Sequence, residues 1–174
     1  IMLKIFLALM AFAICLNQVK AMAYNETDLE AYITKYGKLP IATCDKAATE
    51  AEHYATCGCP YVWGGTDCSC GGHGGMDCSG IVYRSYNDAG YHGIGRTTYN
   101  QIAQGSSCSS KCHPTDTSGC TTGDLFFYCF ETPCPSHVVM YIGKGKAAEC
   151  PHTGENCHII TPYSESYYGC RSFC

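Results

Sequence analysis

The chain has 174 residues and a mass of 18.8 kDa, with 46% hydrophobic and 15% charged residues. That length holds one compact domain with a core and excludes a multidomain protein. The formal net charge is −4, and no cluster of lysines and arginines follows the first 23 residues. This distribution argues against a nucleic-acid partner and against electrostatic binding to anionic membranes.

Residues 1–23 are typical of a secretory signal peptide. Lys4 precedes an apolar run from Ile5 to Leu16, and Ala21 and Ala23 follow at the spacing of a cleavage site. The apolar run is 12 residues long, whereas a membrane span needs roughly 18. We therefore expect cleavage after Ala23 and a soluble, acidic, extracellular protein with no membrane contact after cleavage.

Cysteine is unusually frequent, with 16 residues in the chain. Cys15 lies in the predicted signal peptide, so an odd number remains, and oxidation would form up to seven disulfides and leave one thiol free. The cysteines that could instead hold zinc are Cys57 and Cys59, Cys68 and Cys70, and Cys108 and Cys112, near His73 and His113. Their spacings are not those of structural zinc sites, so we predict disulfides and no metal.

The first half of the mature chain has helical patterns separated by glycine-rich loops. Residues 24–43 form an N-terminal extension with a short helix at 27–36, which could be a retained segment, a propeptide or a lid. Helix formers without glycine or proline predict a second helix over 44–57. The glycine-rich segment 64–75 predicts a loop tied by disulfides.

Further along, a helix is predicted to start at Asp77 or Cys78 and to end at Gly90, and a shorter one to cover 96–104. A loop rich in cysteine, serine, threonine and glycine follows at 105–122. The predicted strands are 125–128, 137–142, 146–149 and 158–161. Helices followed by strands indicate an α+β domain over 44–174, with the helices packed on one face of a small antiparallel sheet.

Cys78 stands at a predicted helix start, where backbone N–H groups and the helix dipole favour a thiolate. The same N–H groups could hold the oxyanion of a tetrahedral intermediate. These properties make Cys78 the candidate for the unpaired cysteine. The alternative is an ordinary half-cystine, which is what most of the cysteines must be.

His137 opens the clearest predicted strand and could be the base that such a nucleophile needs. A turn near 143–145 would bring Glu149 opposite His137 or to its diagonal neighbour, where the carboxylate could accept the Nδ1 proton. A register shifted by one residue would put Glu149 on the other face. Another histidine, His158, has no motif around it and is interpreted as structural or exposed.

Six segments carry a resemblance to a known family. They are 60–65 (PYVWGG), 76–82 (MDCSGIV), 96–101 (RTTYNQ), 123–127 (GDLFF), 136–143 (SHVVMYIG) and 149–154 (ECPHTG). In this order, and over roughly residues 45–165, the chain resembles the NlpC/P60 family of cysteine peptidases. The resemblance implies a papain-like NlpC/P60 fold, here stapled by disulfides.

The resemblance also implies an activity, namely hydrolysis of peptidoglycan stem peptides, typically at the γ-D-glutamyl–diamino acid bond. It needs no cofactor or metal, and its partner would be the bacterial cell wall. The implied catalytic residues are Cys78 as nucleophile, His137 as base and Glu149 as the group that orients the base. The positions implied to line the site and hold substrate are Tyr61, Asp77 and Ser79.

The dense cysteines and the loops at 66–75 and 105–122 depart from bacterial members of the family. They suggest a monomeric, bacteriolytic protein that is secreted into a harsh setting. Two alternatives stay open at this stage. One is an amidase or acyltransferase that acts on another amide or lipid, because a fold does not fix the substrate. The other is a disulfide-rich binding protein without activity, in which Cys78 is paired or the site is blocked by the cysteine-rich loops.

Overall fold

The computed structural model describes residues 25–174. The predicted signal peptide at 1–23 and its cleavage site lie outside the described residues. Within the described range, no helix has the length and apolar character needed to cross a membrane.

The helices of the described chain are α1 at Glu26–Tyr36, α2 at Ile41–Thr56, α3 at Cys78–Asp88 and α4 at Thr98–Ile102. Asn25 caps α1, and its side chain accepts a hydrogen bond from the backbone N–H of Asp28 at 2.9 Å. The start of α2 was predicted three residues too late. Pro40 has an extended backbone and is the N-cap residue of α2, so the helix begins directly after it.

The glycine-rich segment that was predicted as a loop contains a small antiparallel hairpin, formed by β1 at Thr66–Cys68 and β2 at Gly74–Met76. The remaining strands make one antiparallel sheet in the order β3-β8-β4-β5-β6-β7. Their bounds are β3 Ser106–Ser107, β4 Leu125–Tyr128, β5 His137–Gly143, β6 Lys146–Glu149, β7 His158–Ile160 and β8 Tyr167–Ser172. The sequence did not predict β3 and β8.

Both faces of the six-stranded sheet are covered. On one face α2 and α3 pack against alternate residues of the central strands, such as Leu125, Phe127 and Val138. The opposite face, which includes Phe126 and Tyr128, packs against cysteines of the 105–122 loop and of β8. Because both faces of β4 are buried, its sequence is a continuous apolar run and not an alternation of apolar and polar residues. The predicted α+β fold with helices on one face is confirmed.

Seven disulfides join fourteen of the cysteines between residues 25 and 174. The pairs are Cys44–Cys174, Cys57–Cys70, Cys59–Cys68, Cys108–Cys170, Cys112–Cys120, Cys129–Cys134 and Cys150–Cys157. The closely spaced cysteines considered for zinc are therefore half-cystines. The widest of these bridges links the first turn of α2 to the last residue of the chain.

We predict that the bridge between Cys44 and Cys174 contributes most to stability. It spans 130 residues, whereas Cys112–Cys120 spans 8. A bridge over a longer loop removes more entropy from the unfolded chain. For these two bridges the difference corresponds to about 2 kcal/mol in the free energy of unfolding. The Cys44→Ala/Cys174→Ala variant should therefore unfold at a lower denaturant concentration than Cys112→Ala/Cys120→Ala. Equal midpoints for the two double variants would contradict this prediction.

Candidate active site

Cys78 is the first residue of α3, and Asp77 caps this helix. The Oδ1 atom of Asp77 accepts a hydrogen bond of 2.7 Å from the backbone N–H of Gly80, which fixes the first turn. Cys78 is 8% exposed, and it is the one cysteine of residues 25–174 that lies outside a disulfide. The free thiol that the cysteine count predicted is therefore at the helix start, beside backbone N–H groups that attract negative charge.

A partly buried ion pair between Asp77 and Arg96 holds this helix start in place. Two guanidinium nitrogens of Arg96 donate to the Asp77 carboxylate at 2.9 and 3.0 Å. The backbone N–H of Gly64 donates to Oδ2 at 2.9 Å, and the Ser79 hydroxyl donates to Oδ1 at 3.1 Å. Both oxygens of Asp77 are thus committed inside the protein. The resemblance implied that Asp77 holds substrate, whereas its contacts are those of a group that positions the loop and α3.

The loop before the hairpin packs directly on the first turn of α3. A Cβ atom added to Gly80 would overlap the carbonyl oxygen of Gly65, so a larger residue cannot stand there without displacing the loop. Arg96 donates a further hydrogen bond to that same carbonyl oxygen at 3.0 Å. These contacts fix the loop that carries Tyr61 and Trp63 relative to the thiol of Cys78.

The hairpin of β5 and β6 brings Glu149 next to His137. Its ladder pairs Met140 with Ala148, which makes Glu149 the diagonal neighbour of His137 on the same face of the sheet. The His137 ring donates to Glu149 Oε2 over 2.7 Å. The nitrogen that makes this bond is Nε2, so the expectation that Glu149 accepts the Nδ1 proton was wrong. Nδ1 is the ring nitrogen that stays free of the carboxylate.

Glu149 is fully buried and has two further partners that the sequence did not reveal. The Tyr163 hydroxyl donates to Oε1 at 2.6 Å, and Nε2 of His158 lies 3.2 Å from the same oxygen. A buried carboxylate needs such donors, because burial without them would cost several kcal/mol. His158, interpreted from the sequence as structural or exposed, is half-exposed and contacts the site. No motif surrounds either residue, so only the fold brings them to Glu149.

His137 and Glu149 shift each other's proton affinity in opposite directions. Burial disfavours the charged ring of His137, but hydrogen bonds and charge from Cys78 and Glu149 outweigh it and raise the pKa to about 9. Burial also raises the pKa of Glu149, and the bonds from His137 and Tyr163 outweigh it, so the net direction is downward. At neutral pH the pair is an imidazolium and a carboxylate, with the Cys78 sulfur as the second partner of the ring.

Tyr61 lies close to the thiol as well. Burial, followed by the negative charges of Cys78, Asp77 and Glu131, raises the pKa of Tyr61 to about 12. Its hydroxyl is therefore protonated at neutral pH and is a hydrogen-bond donor beside the sulfur. The backbone N–H of Tyr61 donates to the carbonyl of Glu155 at 3.0 Å, which ties its loop to the segment after β6.

Two cavities flank the Cys78 and His137 side chains and meet at Ser136. The cavity on the cysteine side has a volume of about 320 Å³, and Trp63, 85% exposed, stands at its rim. The cavity on the histidine side has a volume of about 380 Å³. The cysteine-side lining is Trp63, Gly64, Asp77, Cys78, Ser79, Arg96, Thr97, Thr98, Tyr99 and Ser136. The histidine-side lining is Phe130, Glu131, Ser136, His137, Pro151, His152, Tyr163 and Glu165.

The fold therefore assembles the predicted cysteine, histidine and carboxylate in one cleft, with Tyr61 and Ser79 beside them. A thiol at a helix start, facing a histidine on an antiparallel sheet that is held by a carboxylate, is the arrangement of papain-like cysteine hydrolases. The residues of the cleft that sequence reasoning left without a role are Arg96, Phe130, Glu131, His158, Tyr163 and Glu165. Of these, Arg96 stands in one of the matching segments and could have been found.

Comparison with known proteins places this arrangement in a family. The NlpC/P60 family model matches residues 58–173, and the chain belongs to the NlpC/P60 family. It is 35% identical over 112 residues to the murein DD-endopeptidase MepH of Escherichia coli (strain K12), covering 64% of this chain and 38% of that protein. It is 36% identical over 106 residues to the gamma-D-glutamyl-L-lysine dipeptidyl-peptidase of Bacillus subtilis (strain 168), covering 60% and 31%.

Among solved structures, the NlpC/p60 domain of the peptidoglycan hydrolase SagA is similar. The two share 28% sequence identity with a TM-score of 0.58, over 74% of this chain and 97% of that domain. The chain spans less than two fifths of the length of the two curated relatives. The likeness therefore concerns their catalytic-domain portion and not the whole proteins.

We predict that an alkylating reagent added to the non-reduced protein labels Cys78 and no other cysteine of residues 25–174. The reason is that the remaining cysteines of this range are joined in disulfides. The measurement is alkylation, proteolysis and mass spectrometry, with a reduced sample as the control in which all cysteines take the label. A label on another cysteine, with Cys78 in a disulfide, would contradict the structure of the site.

We predict that the His137 ring titrates with a pKa of about 9, so that it is charged below this pH and neutral above it. The Glu149→Gln variant loses the carboxylate charge, and the pKa should move down toward the ordinary value of 6.5. NMR titration of labelled histidine measures both values, with the resonance assigned by its absence in His137→Gln. Glu52→Gln, on the exposed side of α2, is the matched control, and an unchanged pKa in Glu149→Gln would refute the coupling.

Proposed function

We propose that the protein is a secreted cysteine endopeptidase that hydrolyses the peptide stems of peptidoglycan. The observation that carries the proposal is the buried chain of contacts from Cys78 through His137 to Glu149, at the junction of two cavities. The relatives support the substrate class, since the names of MepH and of the SagA domain refer to murein and to peptidoglycan.

In the proposed reaction the Cys78 sulfur attacks a carbonyl carbon of the stem peptide. The N–H groups at the start of α3 and the Tyr61 hydroxyl are the donors available to the negative oxygen that forms. His137, charged at neutral pH, gives its proton to the amine that leaves, and a thioester remains. Water then attacks the thioester while His137 takes one proton of the water, which releases the acid and restores the Cys78 thiolate beside the charged His137 ring.

Glu149 and Asp77 act in this proposal without touching substrate. Glu149 keeps the His137 ring charged and oriented, and Tyr163 and His158 hold Glu149. Asp77 fixes the start of α3 through Arg96. Ser79 lines the cavity on the thiol side, and Tyr61 lies close enough to Cys78 to interact with its charge; these two residues are the proposed substrate contacts there.

The bond is proposed to be the one between γ-D-glutamate and the diamino acid. The two curated relatives differ on this point, because one is named a DD-endopeptidase and the other a γ-D-glutamyl-L-lysine peptidase. An extracellular location, and with it a bacteriolytic role, is supported by the disulfides, which persist in oxidising compartments. The predicted signal peptide at 1–23 supports the same localisation.

The described residues lack the features that would favour a non-catalytic binding protein. Cys78 is free, and no residue of the cysteine-rich segments 66–75 and 105–122 lines either of the two cavities. Segment 66–75 forms the β1–β2 hairpin instead, and segment 105–122 covers the far face of the sheet. An amidase or an acyltransferase would form the same thioester. The amidase would hydrolyse a different amide bond, and the acyltransferase would pass the acyl group to an acceptor other than water, so product analysis separates both from the proposed peptidase.

We predict that the mature protein cleaves purified muropeptides and that Cys78→Ala abolishes cleavage. The substitution removes the nucleophile, and it should leave the fold intact because the thiol has no disulfide partner. Liquid chromatography with mass spectrometry identifies the bond from the new amino terminus of the product. Circular dichroism and the melting temperature test the fold of Cys78→Ala, and an active, folded Cys78→Ala protein would exclude the mechanism.

A further inference from the structure

Resting on the proposed function, we propose that the cavity on the His137 side binds the leaving-group residue and selects a long aliphatic side chain that ends in an ammonium group. Glu131 and Glu165 are the specificity-determining residues. On this basis the enzyme prefers stems with lysine over stems with diaminopimelate.

The position of the leaving group follows from the geometry of the dyad. The group that protonates the departing amine is His137, so the amine must lie within hydrogen-bond reach of that ring. The residue that carries the amine then extends away from the thiol, into the cavity lined by His137, Tyr163 and the 129–136 loop. The acyl half lies on the other side, in the cavity lined by Cys78 and Arg96.

The loop that forms one wall of this cavity is held rigidly. The Cys129–Cys134 disulfide closes it, and the Ser136 hydroxyl oxygen accepts the backbone N–H groups of Phe130 and Glu131 at 3.0 and 3.2 Å. Its outer end is bound to α4 through a hydrogen bond from Tyr99 to the carbonyl of Pro133 at 3.1 Å. Glu131 is therefore presented by a preformed wall, which lowers the entropy cost of recognition.

The cavity combines an apolar wall with acidic ends. Phe130 is 48% exposed and meets the Tyr163 ring edge to face, with 5.4 Å between the ring centroids. These rings can contact a chain of methylene groups such as the one in a lysine side chain. Tyr128 stacks behind Phe130 at 5.4 Å and supports it. A side chain that fills this cavity therefore has an apolar body.

The charges at the cavity are unbalanced. Glu131 and Glu165 are exposed, and neither forms an ion pair within the described residues, whereas Asp77 and Glu149 each do. His137 faces the cavity too, but its charge is already balanced by Cys78 and Glu149. The other facing histidine, His152, donates its Nδ1 proton to the carbonyl of Thr153 at 3.0 Å. Glu165 accepts a hydrogen bond from the Ser164 hydroxyl at 3.1 Å, which leaves its charge unbalanced. The two carboxylates without an ion-pair partner favour a cationic end group.

This charge pattern distinguishes the two common diamino acids. The lysine side chain ends in an ammonium alone, so both carboxylates attract it. The side chain of diaminopimelate ends in an ammonium and a carboxylate on the same carbon, and the carboxylate is repelled by Glu131 and Glu165. An exposed ion pair contributes roughly two- to threefold, so two of them together give a preference of about five- to tenfold.

The test compares kcat/KM for three synthetic peptides. They are L-alanyl-γ-D-glutamyl-L-lysine and the same peptide with L-norleucine or with meso-diaminopimelate in place of lysine. We expect the lysine peptide to exceed the other two by about five- to tenfold, and the preference to shrink in high salt, which screens exposed charges. In Glu131→Gln/Glu165→Gln the lysine-to-norleucine ratio should fall toward one, while Glu52→Gln, on α2 and outside the cavity, keeps the wild-type ratio.

Each outcome separates this inference from the function on which it rests. Equal cleavage of the lysine and norleucine peptides, or an unchanged ratio in the double variant, overturns the acidic subsite and leaves the peptidase intact. A preference for diaminopimelate also overturns it. Failure to cleave any of the three peptides, by a protein whose Cys78 is free and alkylable, counts against the proposed bond and not against the charge argument.

Discussion

The burial of the Glu149 carboxylate is the constraint on which the site depends. A carboxylate that is fully buried must be supplied with hydrogen-bond partners, and here they are His137 on β5 and Tyr163 before β8, with His158 on β7 3.2 Å away. Three separate parts of the chain must therefore converge on one side chain. A slip of one residue in the β5–β6 ladder would turn Glu149 to the other face and separate it from all three residues. The register of the sheet and the chemistry of the cleft are thus fixed by the same requirement.

A second buried carboxylate fixes the elements on the helical side of the site. Asp77 caps α3, pairs with Arg96 and accepts the backbone N–H of Gly64, so the helix start and the loop before the hairpin form one rigid unit. Cys78 is placed by one carboxylate and His137 by the other, and the packing of α3 on β5 sets the distance between them. The oxygens of both carboxylates are bonded inside the protein, so the proposed function assigns substrate contacts to the walls of the two cavities.

The disulfides stabilise the periphery and leave the reacting centre reduced. They tie the chain end to α2, brace the small hairpin, and hold the loop that covers the far face of the sheet. The Cys129–Cys134 pair differs, because it shapes a wall of the cleft next to His137. Disulfides therefore stabilise the fold at its periphery and shape one wall of the cleft.

The sequence by itself determined the helices around the core, the four central strands and the odd number of cysteines, and the family resemblance pointed to Cys78, His137 and Glu149. The elements follow from local patterns, namely helix formers without breakers and apolar runs between turns, whereas the strand register that joins Glu149 to His137 stayed open. Only the tertiary structure decided which ring nitrogen meets Glu149, and that His158 and Tyr163 complete its shell. It alone decided that β8 enters the middle of the sheet, and that Glu131 and Glu165 face one cavity. These features depend on residues distant in sequence, whose meeting is governed by packing and register and leaves no local pattern.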